Sequence, residues 1–200
     1  MVSSVDGNIH GAKKMIKITD KHVFFYTEWP SNFKQTSFVW EAFGESHHFF
    51  CTEQAFMWAK AMYFNSPEEA AEILKPQSEG NTPMWCKQCG RWVKNYDDKK
   101  WDLVRYSFMY EVNMCKYTQD KELQKKLLDT KFDGKTFVEA SPTDKIWGIG
   151  RGENDPDIDD ETKWLGTNLL GRVITDCRRT ILKDQADRIY VIKDEDGNPV

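Results

Sequence analysis

The chain has 200 residues, enough for one sizeable core and, by length, most simply one domain. Its 32 acids outnumber 28 bases, a formal charge of −4, which excludes tight non-specific binding to a nucleic-acid backbone driven by net charge. Five cysteines, odd in number and irregular in spacing, exclude a secreted disulfide framework, and no run of about 18 apolar residues occurs, so a soluble chain in a reducing, cytoplasmic compartment is expected.

The first 15 residues are small, polar and unpatterned, and residues 1–20 read as an N-terminal tail. Lys21 to Tyr26 reads as a strand, broken by a turn at Trp29-Pro-Ser-Asn-Phe33. Ser46 to Cys51 is a second extended run. Thr52 is an N-cap candidate for a helix from Glu53 to about Phe64. Ser66-Pro-Glu-Glu69 has the form of a capping box with Pro at the first helical position. Thr82-Pro83 starts a further helix running through Val93. Between 98 and 116, Trp101, Val104, Phe108, Met109, Val112 and Cys115 recur at threes and fours, the mark of one buried helical face. A short helix follows from Asp120 to Asp129, with Leu123, Leu127 and Leu128 inward. Thr136 to Ala140 reads as a short strand.

Gly150 to Thr162 is acidic and irregular, a surface loop expected to be mobile and to border any pocket. Its charge would disfavour a bare polyphosphate there. Asn168 to Lys183 forms the last helix. Residues 185–200 read as a C-terminal tail with one further strand. No internal repeat or interdomain linker is present. The pattern is one α+β domain, mainly helical with a small β component, over 21–184.

Glu53 and Lys60 lie seven residues apart, close to two turns, and share one helical face with Met57 between them. An ordinary solvated face would explain such a pair, but Phe56, Trp58, Met62 and Phe64 surround it. The stretch Glu139-Ala-Ser-Pro-Thr-Asp-Lys-Ile-Trp-Gly-Ile-Gly150 mixes acids, a Lys and a Trp around a Ser-Pro turn, as a loop that shapes a pocket does. Asp144 beside Trp147 is a candidate proton donor, or a turn-former only. Glu139 is either reactive or a structural acceptor for the loop backbone. The two glycines offer backbone that a ligand can approach. Cys86 and Cys89 form a C-x-x-C with no second ligand pair in sequence, so ordinary packing outweighs a zinc site. His47 and His48 point to opposite faces of a strand and cannot easily share one metal.

In order along the chain, Phe24-Phe-Tyr26, Pro30-Ser-Asn-Phe33, Thr52-Glu-Gln54 with Lys60-Ala61, Gly90-Arg91, Trp101 with Arg105, Met109 and Lys116, Leu128-Asp-Thr130, EASP with Asp144 and Trp147-Gly-Ile-Gly150, and Trp164 to Gly171 resemble the YbiA-like, or NADAR, family. The resemblance spans roughly Val23 to Lys183. The joined EASP-D-WGIG and G-N-LLG blocks carry most of its specificity.

The resemblance implies a single-domain YbiA-like fold and hydrolysis of an N-glycosidic bond. Substrate classes implied are a ribosylamino-pyrimidine intermediate of riboflavin synthesis or an ADP-ribosylated nucleobase, and the motifs do not choose between them. Nucleic acid enters only as such a modified substrate; no membrane, cofactor or metal is implied. Glu53 and Asp144 are the carboxylate pair expected at C1′ and the departing base. Lys60 orients an anion, or attacks C1′ of a ring-opened sugar as a Schiff-base nucleophile. Trp101 and Trp147 are expected to stack a base, Asn32 and Asn168 to meet hydroxyls or base, and Arg91 and Arg105 to meet a phosphate. A non-catalytic ADP-ribose or NAD reader, and a zinc-stabilised interaction protein, are the alternatives.

Overall fold

The computed structural model describes residues 16–191, the last four as helical backbone only. The unpatterned stretch 1–15 and the end of the tail, 192–200, lie outside the described residues. Strand β1 (Lys17–Ile18) lies within the stretch read as tail and pairs antiparallel with β2 (His22–Phe25). β2 pairs in parallel with β5 (Thr136–Glu139), His22 opposite Thr136 and Phe25 opposite Glu139. All four residues of β2 are buried, which is why it reads as a continuous run and not as alternation.

A second, two-stranded sheet pairs β3 (Gln35–Ala42) with β4 (Glu45–Cys51). β3 was not anticipated, although Thr36, Phe38 and Trp40 alternate inward against exposed neighbours. Its turn, Phe43-Gly44, has positive φ at both residues (56° and 78°), the backbone of a tight hairpin without the usual Asn-Gly or Asp-Gly signal.

Helix α1 (Thr52–Tyr63) is the centre of the molecule, with Thr52 to Phe56, Trp58, Ala59 and Ala61 buried. A helix buried nearly all round shows weak amphipathic periodicity. Its N-cap is Cys51, not Thr52: the Cys51 sulfur accepts from the Gln54 N–H at 3.4 Å. α2 (Pro67–Leu74) starts after Ser66, but the expected reciprocal box does not form. Ser66 Oγ donates to Glu69 and accepts from the Lys94 N–H at 2.9 Å, tying α2 to the end of α3 (Pro83–Trp92). Thr82 caps α3 through the Trp85 N–H.

α4 (Asp98–Gln119) packs on α1 and on α6 (Leu169–Val191), and α5 (Lys121–Leu127) turns back from its end. The buried face of α4 holds Trp101, Met109 and Val112 as expected, but also Asn113, Lys116 and Tyr117, while Val104, Phe108 and Cys115 are only half-buried. α6 continues through the residues read as a terminal strand, as far as Val191. No helix of the described residues is long and apolar enough to cross a membrane. The architecture is α+β and mainly helical, with a main apolar core running from the two sheets through α1 to α6 and a smaller cluster of Phe24, Val138, Ala140, Ile149 and Ile158.

The acidic stretch after Gly150 is anchored, not loose. Ile158 is buried, Trp164 Nε1 donates to its carbonyl at 2.7 Å, and buried His22 lies between Asp159 (2.7 Å) and Glu161 (3.0 Å).

Candidate active site

A cavity of about 200 Å³ opens between one face of α1 from Glu53 to Lys60, α3, α4, the Ser31–Phe33 loop and the 139–147 loop. Glu53, Lys60, Asp144, Asn32, Trp101, Arg105, Trp147 and Arg91 all line it. A wider groove of about 640 Å³ between β3, β4 and α2 has no acid in its walls. Other clefts also carry acids, but the carboxylates that burial raises, Glu53 and Glu139, line the smaller cavity, and perturbed acids mark chemistry better than volume does.

Glu53 stands in the first turn of α1 and is only 6% exposed. Burial pushes its carboxyl up to about 7, and Asp144 adds to that; Lys87, Arg91 and Lys60 pull the other way. Glu139, at the end of β5, is pushed up to about 8, first by burial and then by Asp144 and Glu53. Its Oε2 is buried without a hydrogen-bond partner among the described residues. Three carboxylates thus share one enclosed space, and their charges oppose one another. Sequence reasoning left Glu139 open between a reactive acid and a loop acceptor, and did not place it among the site residues. The signal available was its position at a strand end beside Asp144.

Asp144 holds the loop. Its Oδ1 accepts from the N–H groups of Ile146 (2.9 Å) and Trp147 (2.8 Å), while its own N–H donates to Ser141 Oγ (3.2 Å). Of the two glycines, neither lines the cavity. A Cβ on Gly148 would sit 2.9 Å from the Glu139 carbonyl, and Gly150 has φ +67°, so both serve the fold of the loop. The loop is laced to the start of α6: Asn168 donates to the Gly148 carbonyl, Leu169 to Ile146 and Leu170 to Trp147, all at 3.1 Å.

Lys60, two turns after Glu53, reaches the cavity half-buried. Its Nζ donates to the Gly90 carbonyl at 2.7 Å and lies 4.0 Å from the centre of the Tyr96 ring. Burial lowers its pKa, against the pull of Asp98 and Glu53. Gly90 eases this approach: a Cβ there would fall 2.0 Å from the Met57 sulfur, so a larger residue would have to displace the Met57 side chain where α3 packs on α1.

The aromatic walls are fixed. Trp101 stacks on Phe108 (5.9 Å, 24°), and Trp147 meets Phe56 edge-on (5.1 Å, 84°). Arg105 is paired with Asp102 at 2.8 Å, and Arg91 donates to Gln88 at 3.2 Å. Lys87, unforeseen in the sequence, lines the cavity 5.4 Å from the centre of the Phe33 ring. With it the walls carry four bases against three acids.

Asn32 presents a buried Oδ1 that has no partner among the described residues, while its Nδ2 donates to the Met109 sulfur at 3.4 Å. Asn168 does not reach the cavity. It is 1% exposed with φ +53°, and both ends of its amide are bound to the backbone of β5. The acidic 152–161 loop supplies no residue to the cavity walls, contrary to the expectation that it borders the pocket. Cys86 and Cys89 pack in the core; Cys86 donates to Asn81 Oδ1 at 3.1 Å, and burial pushes both thiols up.

Comparisons with known proteins identify the family and the fold. The NADAR domain profile matches residues 16–182. The chain is 36% identical over 173 residues to N-glycosidase R617 of Acanthamoeba polyphaga mimivirus, covering 80% of this chain and 96% of that protein. It is 34% identical over 151 residues to Protein irg-1 of Caenorhabditis elegans, covering 73% of this chain and 68% of that protein. The solved structure of the E. coli protein YbiA superposes with a TM-score of 0.63 at 21% identity, covering 86% of this chain and 91% of that one, which supports the fold. The chain belongs to the NADAR domain family, with a YbiA-like fold.

Proposed function

We propose that the protein is a hydrolase of N-glycosyl bonds, cleaving the C1′–N bond of a ribosylated base. The observation that carries this reading is the carboxylate cluster. Glu53 and Glu139 are both pushed into the neutral range, next to Asp144, in a cavity walled by Trp101 and Trp147. Breaking a C1′–N bond builds positive charge on the sugar and negative charge on the leaving nitrogen. An ionised carboxylate beside C1′ stabilises the first and activates water. A protonated neighbour supplies a proton to the second. Two acids that cannot both ionise in one enclosed space hold the single proton this requires.

Glu53 serves as the carboxylate at C1′, and Glu139 as the source of the proton. Asp144 raises both neighbours and keeps Trp147 in place. Lys60 acts as a positioning cation held on the Gly90 carbonyl, a role its hydrogen bond favours over attack on C1′. The excess of bases at the walls suits a phosphorylated sugar. At about 200 Å³ the enclosed space suits the reacting sugar and its bond, with the remainder of a larger ligand at the mouth. Both a ribosylamino-pyrimidine of riboflavin synthesis and an ADP-ribosylated nucleobase satisfy these demands. The similarity to a relative named an N-glycosidase supports the reaction class.

The test is incubation of the purified protein with ADP-ribosylated guanosine and, separately, with the ribosylamino-pyrimidine, following free base or sugar by mass spectrometry. Release from one names the substrate branch. Binding with no release of either would replace the hydrolase by a reader of ADP-ribosyl ligands.

A further inference from the structure

Lys116 stands outside the cavity, fully buried, and no step above uses it. Its Nζ donates to three successive main-chain carbonyls: Trp29 (3.2 Å), Pro30 (3.1 Å) and Ser31 (3.2 Å). An ammonium has three N–H donors, so the match is complete. Those carbonyls belong to the loop that enters the cavity as Ser31, Asn32 and Phe33. The next carbonyl along, that of Asn32, accepts the N–H of Glu53 at 3.0 Å. That N–H is one of the first-turn donors of α1 with no partner inside the helix. A continuous path therefore runs from Lys116 through the 29–31 backbone to Asn32 and to the backbone of Glu53. Met109, on the same face of α4, holds the Asn32 amide nitrogen.

We propose that Lys116 is a positioning residue for the carboxylate centre: its three hydrogen bonds set the 29–31 backbone, and so place the Asn32 oxygen and the first turn of α1 that carries Glu53. The consequence for turnover rests on the glycosidase reading, whereas the placement itself does not. Three buried carbonyls converging on one point repel each other once the cation is gone, so the loop must move. Burial brings the Lys116 pKa down to about 7, against the pull of Cys51, Cys177 and Asp120 from the elements packed around it; the Tyr117 ring on its own helix is 5.1 Å away.

The experiment compares wild type, K116M and K116Q by amide hydrogen exchange and by steady-state kinetics. In K116M, exchange at the Glu53 N–H is expected to rise about tenfold or more, while Phe137, bonded to Thr175 at 3.0 Å, keeps its protection. On a substrate that wild type turns over, kcat is expected to fall about tenfold or more with KM within about threefold, since misplacement acts on the reacting geometry. K116Q, with two N–H donors, is expected to recover part of both. The N32A–K116M double variant is expected to be no slower than the slower single one. Wild-type exchange at Glu53 in K116M, or additive losses in the double variant, would overturn the proposal.

If K116M does not fold, E53Q protein with Lys116 intact gives the answer. The Asn32 side-chain amide signal should move with the titration of the Lys116 ¹⁵Nζ, and a signal that stays put overturns the proposal. No turnover by wild type together with faster Glu53 exchange in K116M would sink the glycosidase reading and leave the positioning role standing.

Discussion

The backbone N–H of Glu139 donates to Oδ1 of Asn168 at 3.0 Å, and the same side chain's Nδ2 donates to the Phe137 carbonyl at 3.0 Å. One amide at the start of α6 therefore completes the edge of β5 and holds Glu139 at the cavity. N168A should lower stability by about 2 kcal/mol, through two lost buried hydrogen bonds and a backbone φ that alanine resists. Urea denaturation checks this. N168D, which sets a buried carboxylate oxygen against the Phe137 carbonyl, should lose at least as much.

The rate of hydrolysis should follow a bell in pH. Glu53 and Glu139 titrate as a coupled set with values pushed up to about 7 and about 8. Below the lower value the carboxylate at C1′ is protonated; above the higher one the proton for the leaving base is gone. The maximum of kcat/KM is expected between these two values. A profile flat from pH 6 to 9 would contradict the assignment.

E53Q and E139Q should each lose about 100-fold or more in kcat while remaining folded, because each removes a charge or proton that the transition state uses. Full activity in both would remove the mechanism. D144N and D144A separate the roles of Asp144. D144N keeps an oxygen for the Ile146 and Trp147 N–H groups, so it should keep the fold and lose rate. D144A should lose rate and also about 1 kcal/mol of stability. Equal thermal midpoints for the two would show that the loop does not depend on that oxygen.

Losing Glu139's charge should also stabilise the protein at alkaline pH. The folded-state value of about 8 lies above the ordinary 4.5, so the unfolded chain releases this proton first. Stability then falls as pH rises between those two values and levels off above them. E139Q escapes that fall. It should exceed wild type by about 2 kcal/mol at pH 8 and by much less at pH 5, as function-bearing buried acids commonly cost stability. Urea midpoints at both pH values decide it.

If Lys60 is a positioning cation, sodium borohydride added during turnover should trap no adduct, and K60R should retain more rate than K60M. A stable mass increase on Lys60 equal to a reduced sugar would instead make it the nucleophile.

Much of the fold was legible because local rules were obeyed. Pro67 and Pro83 follow Ser66 and Thr82 at the starts of α2 and α3, and α4 repeats its apolar residues at threes and fours. The pairing of Glu53 with Lys60 followed from helical spacing alone, and both line the cavity. What sequence spacing does not encode is distance between segments far apart in the chain. Glu139 and Lys87 reach Glu53's cavity only because β5 pairs with β2 and α3 packs on α1 at Gly90. Asn168 looked like a ligand contact because a buried amide and a binding amide are the same residue type; only its two bonds to β5 assign it to the scaffold. The acidic 152–161 stretch looked loose because charge runs usually are, yet His22, far upstream, lies against two of its carboxylates. Lys116 is the clearest case. A Lys in an amphipathic helix reads as solvent-facing, and only the tertiary structure gathers three carbonyls around it to make burial of that cation affordable.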